Sequence, residues 1–321
     1  MKIAFAHFIF LVFLSTFAMT ADVASIRIAP QLKNNSFMEI EVLDQKILCF
    51  DYIDNIQFSE LSGLAYHGTQ QTLHMASDQG ALFSFRAVFS DKIDVLEPLS
   101  GTLLKDRQGK TLRFWKRDSE GVTLDGKGRL LISFEGSTPK IGYFHKNSVS
   151  YGNLIRQYRL PKILRDADNY RSKNKSLEAL SWHKKYGVLT ATEWPLKKDD
   201  KKLQTIYALN GPKWHFNAEP ESKSAVVAME VMDDENILVM ERSYTGMFEP
   251  LVITLKKVMI QGCKFKICQS KVLAKMNSHR GWNIDNFEGL AKVGKDRYLI
   301  ISDDNNNVFQ KTLLLYFKVK Y

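Results

Sequence analysis

Two sets of carboxylates recur along the chain at a near-constant interval. Acids gathered by repetition are the residue type that holds a hard cation or shares a proton. The first set is Glu120, Glu178 and Glu288, with Glu60 lying close to Ser62. The second is Asp78, Glu135, Glu193, Glu241 and Asp303, separated by 57, 58, 48 and 62 residues. Equivalent positions in a closed repeat converge on one axis. Carboxylates brought together repel when ionised, so they demand a cation, a basic partner or raised pKa values. Ca²⁺ takes oxygen ligands in geometries that loops can supply. The expected metal set is therefore Glu120, Glu178, Glu288, Asp303 and Asp304. The competing reading gives the same acids a purely structural task, capping strand ends and satisfying backbone N–H groups.

Arg242 follows Glu241, where the other repeats carry Gln79, Gly136, Trp194 and Asp304. A guanidinium there is suited to a bidentate clamp on phosphate or carboxylate, or to pairing with a neighbouring acid. Arg242, Glu241, Trp194 and Trp282 are accordingly the expected substrate-binding residues, the two tryptophans standing at turns that could form a binding rim. His67, His74 and His183 fall in or beside strand patterns, where a histidine is commonly structural. The chain has no Gly-x-Ser-x-Gly string, so a serine-nucleophile mechanism has no support and no catalytic residue is assigned.

The elements that must position these acids announce themselves by period. A Gly/Ala-Leu/Val step follows Ser62, Glu120 and Glu178 at intervals of 58 and 58, and recurs after Glu288. Ala228-Met229-Glu230-Val231 supplies the intervening copy, placing Glu230 in the series. Each copy is a short apolar run, a polar turn and a second apolar run ending in an acid, which is the pattern of two antiparallel strands. Repeats of this kind, each too small to bury its own face, predict an all-β propeller of five or six blades. A sixth blade could be assembled from N-terminal strands at residues 37–43 and 46–50 with a C-terminal strand at 313–319, and that closure would remove exposed edges. Residues 160–176 lack strand alternation and read as an excursion between blades with one helical turn.

Asp285-Asn286-Phe287-Glu288-Gly289-Leu290-Ala291, Ser302-Asp303-Asp304-Asn305 and Gln310-Lys311-Thr312-Leu313, in that order, resemble the phytase-like family described as having esterase-like activity of phytase. Asn174-Lys175-Ser176-Leu177-Glu178-Ala179-Leu180, Asp118-Ser119-Glu120-Gly121 and Met240-Glu241-Arg242-Ser243-Tyr244 extend the resemblance from about Ser59 to the end. It implies a secreted or periplasmic propeller. A calcium-dependent phosphoester or ester hydrolase then becomes one expectation, with a non-catalytic ligand- or envelope-binding propeller as the alternative and a lactonase-like calcium propeller as a third.

Residues 1–21 read as a signal peptide, a short apolar run followed by small residues, leaving residues 22–321 as one propeller domain in the periplasm or outside the cell. Cys263 and Cys268 bracket four residues, a reasonable span for a hairpin-closing disulfide in such a compartment, while Cys49 reads as a buried strand thiol. The net charge of +10 favours an anionic small-molecule substrate or envelope component. Export disfavours nucleic acid, and the chain is expected to act as a monomer.

Overall fold

A computed structural model describes residues 22–113, 116–146, 151–172, 174–246, 248–264 and 267–320. The expected signal peptide lies outside them. The chain forms four four-stranded antiparallel sheets, one six-stranded antiparallel sheet and one additional small hairpin, Tyr52–Ile53 with Ile56–Gln57. Blade 1 contains Leu61–His67, Thr72–Ser77, Ala81–Phe89 and Ile93–Leu103. Blade 2 contains Ser119–Leu124, Leu130–Phe134, Lys140–Phe144 and Leu154–Gln157. Leu177–His183, Gly187–Thr192, Leu203–Ala208 and Lys213–Asn217 make blade 3. Ala225–Val231, Ile237–Ser243, Val252–Val258 and Ser270–Asn277 make blade 4. The first strand of each blade packs beside the first strands of its neighbours, closing a ring.

Blade 5 settles the blade number. Its first three strands are Asn286–Gly294, Arg297–Asp303 and Thr312–Val319, and its fourth is the N-terminal strand Ile40–Leu48, edged by Val23–Ser25. The terminal strands therefore complete the fifth blade, and the sixth blade does not form. The expected division into strands at 37–43 and 46–50 does not occur: a short strand, Ser36–Phe37, pairs back on one long strand, Ile40–Leu48. Ile40–Leu48 runs straight through Asp44-Gln45, whose side chains serve instead as local acceptors: Asp44 for the Ile93 N–H at 3.0 Å, and Gln45 for Ile28 and Ala29 at 2.8 and 2.6 Å.

The repeated small residue has a steric cause. A Cβ added to Gly63 would stand 2.5 Å from the carbonyl oxygen of Glu120 in the next blade, and one added to Gly121 would stand 2.8 Å from the carbonyl oxygen of Glu178. At these two positions only glycine lets neighbouring first strands approach this closely around the axis, and blades 3 and 4 carry the next smallest residue, Ala179 and Ala228. Immediately before it, every first strand carries a one-residue bulge: at Ser62, Glu120-Gly121, Glu178, Val227 and Glu288. Bulges re-aim a side chain and recur beside functional sites. The matching residue of blade 4 is therefore Val227. Glu230 lies three residues further along, where it accepts hydrogen bonds from Ser181 Oγ at 3.0 Å and its neighbour Val231 N–H at 2.7 Å.

Apolar side chains of adjacent sheets fill the spaces between blades. One such core joins Leu64, Met75, Phe83 and Phe85 of blade 1 to Leu299, Ile301 and Tyr316 of blade 5. Residues 160–176 hold the expected single helical turn, Lys162–Arg165, followed by a 3-10 turn at Ala167–Asn169. Cys263 and Cys268 are disulfide-bonded in the loop between the last two strands of blade 4. Cys49 is free and exposed just past Ile40–Leu48, contrary to the buried placement expected, because that strand ends one residue earlier. Among the described residues, no helix is long and apolar enough to cross a membrane.

Candidate functional site

First strands start, and second strands end, on the same face of the ring. The bulge residues and the ends of the second strands therefore meet at one mouth of the central channel. Register identifies the second ring. The residue paired with the last position before each bulge is Ser77, Phe134, Thr192, Glu241 or Ser302. The next residue around the ring is then Asp78, Glu135, Glu193, Arg242 or Asp303. Blade 4 thus contributes Arg242, and Glu241 belongs to the opposite face of its strand. A one-residue slip reverses the facing of a strand side chain.

Glu241 is accordingly absent from the mouth. It is buried against the Lys256 ammonium at 2.8 Å and also accepts from the Glu219 N–H and Ser224 Oγ, both at 2.8 Å. Lys256 pairs as well with Glu219 at 2.7 Å. The Glu241–Lys256 pair is buried, while its outer partner Glu219 borders a separate cleft and also pairs with Lys275 at 2.7 Å.

Arg242, the residue after Glu241 in the same strand, faces the mouth. Its guanidinium bonds Glu288 and Asn286 Oδ1 and stands 3.6 Å from Glu193. Burial opposes its charge, but Glu288 and Glu193 outweigh burial and hold its pKa above the ordinary value. Lys175 places its ammonium 2.8 and 2.7 Å from the two carboxylate oxygens of Glu193, which likewise raises the lysine pKa against the effect of burial.

The acids fall into two districts. In blades 2 and 3, Asp118, Glu120 and Glu135 each bring an oxygen within 4.8 Å of the others, and so do Glu135, Glu178 and Glu193. Glu135 belongs to both groups. Glu120, Glu135, Glu178 and Glu193 are all buried. Glu135 and Glu178 are in carboxyl–carboxyl contact, yet one oxygen of each, Oε2, is buried with no donor among the described residues. Burial, then the neighbouring acids, pushes the pKa values of Glu120 and Glu178 well up. Burial also pushes Glu135 up to about 7. In blades 5 and 1, burial and then Glu288 raise Asp303 to about 7, while burial and then Glu60 raise Asp78 to about 8.

The expected metal set is thus divided. Glu120 and Glu178 enter the three-carboxylate groups. Glu288 faces Arg242, and Asp303 accepts from Asn286 Nδ2 at 3.2 Å. Asp304 braces its own loop, taking the Glu60 N–H at 2.9 Å and Thr312 Oγ1 at 3.2 Å. Asp118, Glu135, Glu193, Lys175 and Asn286 belong to the site although they were not singled out as metal or substrate residues. A signal for two of them exists in the sequence, since Glu60, Asp118, Ser176 and Asn286 each stand two residues before a bulge residue. Buried carboxylate oxygens lacking donors, set within 4.8 Å of one another, suit a hard oxygen-seeking cation.

A cleft of about 760 Å³ opens over Arg242 and is lined by Lys175, Glu193, Trp194, Tyr244 and Asn286. Trp194 also borders a neighbouring cleft of about 940 Å³ with Lys197, Lys201, Lys202 and Lys223. Trp194 therefore stands between the two clefts and lines both. Trp282 lines neither. It is buried in the core between blades 4 and 5, with its ring edge against Phe37 at 4.9 Å between centroids.

Fold and site together define a five-bladed β-propeller whose mouth concentrates acids around one arginine and one lysine. A family model described as phytase-like, esterase-like activity of phytase, matches residues 56–306, and the chain belongs to that family. Comparison with curated proteins finds no match. Among solved structures, the PQQ-bound aldose sugar dehydrogenase of Streptomyces coelicolor matches at 10% identity over 86% of this chain and 98% of that one, with a TM-score of 0.44. The Malassezia sympodialis allergen Mala s 1 matches at 10% identity over 87% and 88%, with a TM-score of 0.45. A streptogramin B lyase matches at 8% over 90% and 100%, with a TM-score of 0.38. Likenesses this distant carry no argument about activity.

Proposed function

We propose that the mouth is a cation-dependent hydrolytic site for an anionic phosphoester or ester, in a protein that works outside the cytoplasm. The observation that carries the reading is the charge imbalance. Asp118, Glu120, Glu135, Glu178 and Glu193 crowd together, and the two nearby basic side chains are already engaged by Glu193 and Glu288. Glu120, Glu135 and Glu178, with Asp118 and Glu193 beside them, would hold a Ca²⁺-class ion. Such an ion supplies charge neutralisation and Lewis-acid polarisation. The remaining roles fall to the chain itself. Arg242 and Lys175 draw an anion into the cleft, and Trp194 shields its edge. Asp303, which lies outside the three-carboxylate groups and is pushed up to about 7 by burial and then Glu288, can hold and release a proton at a carboxyl oxygen close to neutrality. The Cys263–Cys268 bond supports export, since such bonds persist in oxidising compartments.

The test is metal analysis of the dialysed protein, followed by assays of phosphate esters, carboxyl esters and lactones with Ca²⁺ or EGTA. Turnover that requires Ca²⁺ and is lost in Glu135→Gln supports the reading. Bound Ca²⁺ without turnover of any substrate class would leave a ligand-binding propeller.

A further inference from the structure

The four most exposed large apolar side chains among the described residues are Val308, Phe248, Phe309 and Tyr52, at 94, 90, 89 and 67%. All four belong to the mouth face. Phe248 lies between the second and third strands of blade 4, and Val308 and Phe309 lie in the same connection of blade 5. Tyr52 follows the fourth strand of blade 5, which also ends at the mouth. The first two connections flank the cleft over Arg242, contributing Tyr244 and Leu251 from one side and Asn305, Asn307 and Gln310 from the other.

The exposure of Val308 and Phe309 is built in. Their loop is a tight turn with the Asn307 N–H on the Asp304 carbonyl at 2.9 Å and the Gln310 N–H on the Asn307 carbonyl at 2.9 Å. Asn307 Oδ1 takes the Phe309 N–H at 3.1 Å, and Gln57 Nε2 pins Asn306 Oδ1 at 2.7 Å. Asn305 and Asn306 adopt the left-handed conformation, φ 47° each, that this turn requires. Hydrogen bonds on both sides of the pair hold the apolar side chains outward. Across the mouth, blade 3 presents Lys197, Lys198, Lys201 and Lys202, with Lys223 following it, all exposed. Of the acids between them, Asp200 accepts the Lys202 N–H at 2.9 Å.

Apolar prongs on one side of an opening and lysines on the other fit one partner chemistry: a surface with fixed anionic headgroups above hydrocarbon. We propose that the mouth face docks on an anionic lipid surface. Phe248, Val308 and Phe309 enter the headgroup boundary, the blade 3 lysines meet the lipid phosphates, and the cleft is held against the membrane. The substrate would then reach the cleft from the lipid layer or its adsorbed ions. This docking needs no catalysis, so its failure and that of the hydrolase reading are separable.

The experiment is flotation of the full chain with phosphatidylcholine vesicles, with and without phosphatidylglycerol, at low and high salt. Retention is expected on the anionic vesicles and should fall on the order of tenfold in the F248S/V308S/F309S variant, because binding scales with buried apolar area. Each lysine neutralised in K197Q/K198Q/K201Q/K202Q should cost about fivefold. The substituted side chains are exposed, and an unchanged melting temperature confirms intact variants. Absence of retention on anionic vesicles overturns the proposal. So does retention that survives removal of all three apolar side chains, which would mark simple charge adsorption. Equal binding to neutral vesicles overturns the role of the lysines.

Discussion

Arg242 and Glu193 hold the same register position in adjacent blades, each one residue beyond the partner of the last pre-bulge residue, and their side chains meet at 3.6 Å. Four blades put an acid at that position and one puts the guanidinium that partly neutralises them. Arg242 is thus first a counter-ion. Arg242→Ala should destabilise the protein by about 3–5 kcal/mol, the usual cost of stripping one partner from buried ion pairs. Urea unfolding would measure it, and a loss below about 1 kcal/mol would mean that solvent or metal already compensates Glu288 and Glu193.

Ca²⁺ should raise the melting temperature, by about 2.7 kcal/mol of stabilisation at a hundredfold excess over the dissociation constant. Glu135→Gln should remove most of the rise, because Glu135 belongs to both three-carboxylate groups. Glu288→Gln should keep most of it, because Glu288 is turned to Arg242. Scanning calorimetry over a Ca²⁺ series decides between them. Equal losses in the two variants would move the cation towards blade 5.

The pH dependence has a definite sign. Asp78 rises from 3.8 to about 8, Asp303 from 3.8 to about 7 and Glu135 from 4.5 to about 7 on folding. Between the unfolded and folded values the native chain binds more protons, so their contribution is fully present below about pH 4 and is lost as pH rises to 8. In EGTA, stability should fall from pH 5 to pH 8. The Ca²⁺-induced rise should grow over the same interval, since the ion competes with those protons. Melting curves at four or five pH values test both slopes, and a Ca²⁺ effect independent of pH would detach the ion from these acids.

Glu241→Gln should leave the Ca²⁺ response unchanged, because Glu241 faces Lys256 inside the protein. Lys256→Ala should cost about 3–5 kcal/mol by leaving Glu241 buried without its cation, while Glu219 keeps Lys275 at 2.7 Å. Denaturant midpoints and calcium titration together separate this pair from the mouth.

Gly121→Val should weaken the ring by about 1–3 kcal/mol through the clash with the Glu178 carbonyl and Leu180. Trp282→Ala should cost about 3–5 kcal/mol with no change in calcium binding, since the ring is core rather than rim. Thermal denaturation of each variant is sufficient.

The propeller was legible in sequence because steric necessity is periodic: the glycine or alanine after each bulge recurs wherever neighbouring first strands approach. The site was legible in part. Glu120, Glu178, Asp303 and Trp194 were found by repetition and turn position. Glu241 was mistaken for its neighbour because a bulge adds one residue to the first strand and leaves spacing along the second unchanged. Two adjacent charged residues, Glu241 and Arg242, then differ only in which face they take. Glu230 misled for the same reason, since blade 4 carries Val227 where the others carry a polar residue. Asp118 follows the period, two residues before its bulge as Glu60 and Ser176 are, and was missed because only the bulge residues and strand ends were followed. Lys175 belongs to a connection between blades where strand alternation does not apply. Trp282 sits beside a turn in sequence, and only tertiary packing against Phe37 shows that it faces inward.

Ile40 pairs with Val319, so a strand synthesised near the beginning waits for one synthesised near the end. No partial chain emerging from a ribosome or a translocation pore can complete the fifth blade, and contacts of such long sequence separation form slowly. The ring is thus a device that delays assembly. Until Thr312–Val319 is in place, the edge of Ile40–Leu48 that it covers stays open, so the ring is sealed in a single late step. Deleting the residues after Thr312 should therefore leave a chain whose fifth blade stays open and which proteases degrade far faster than the full chain.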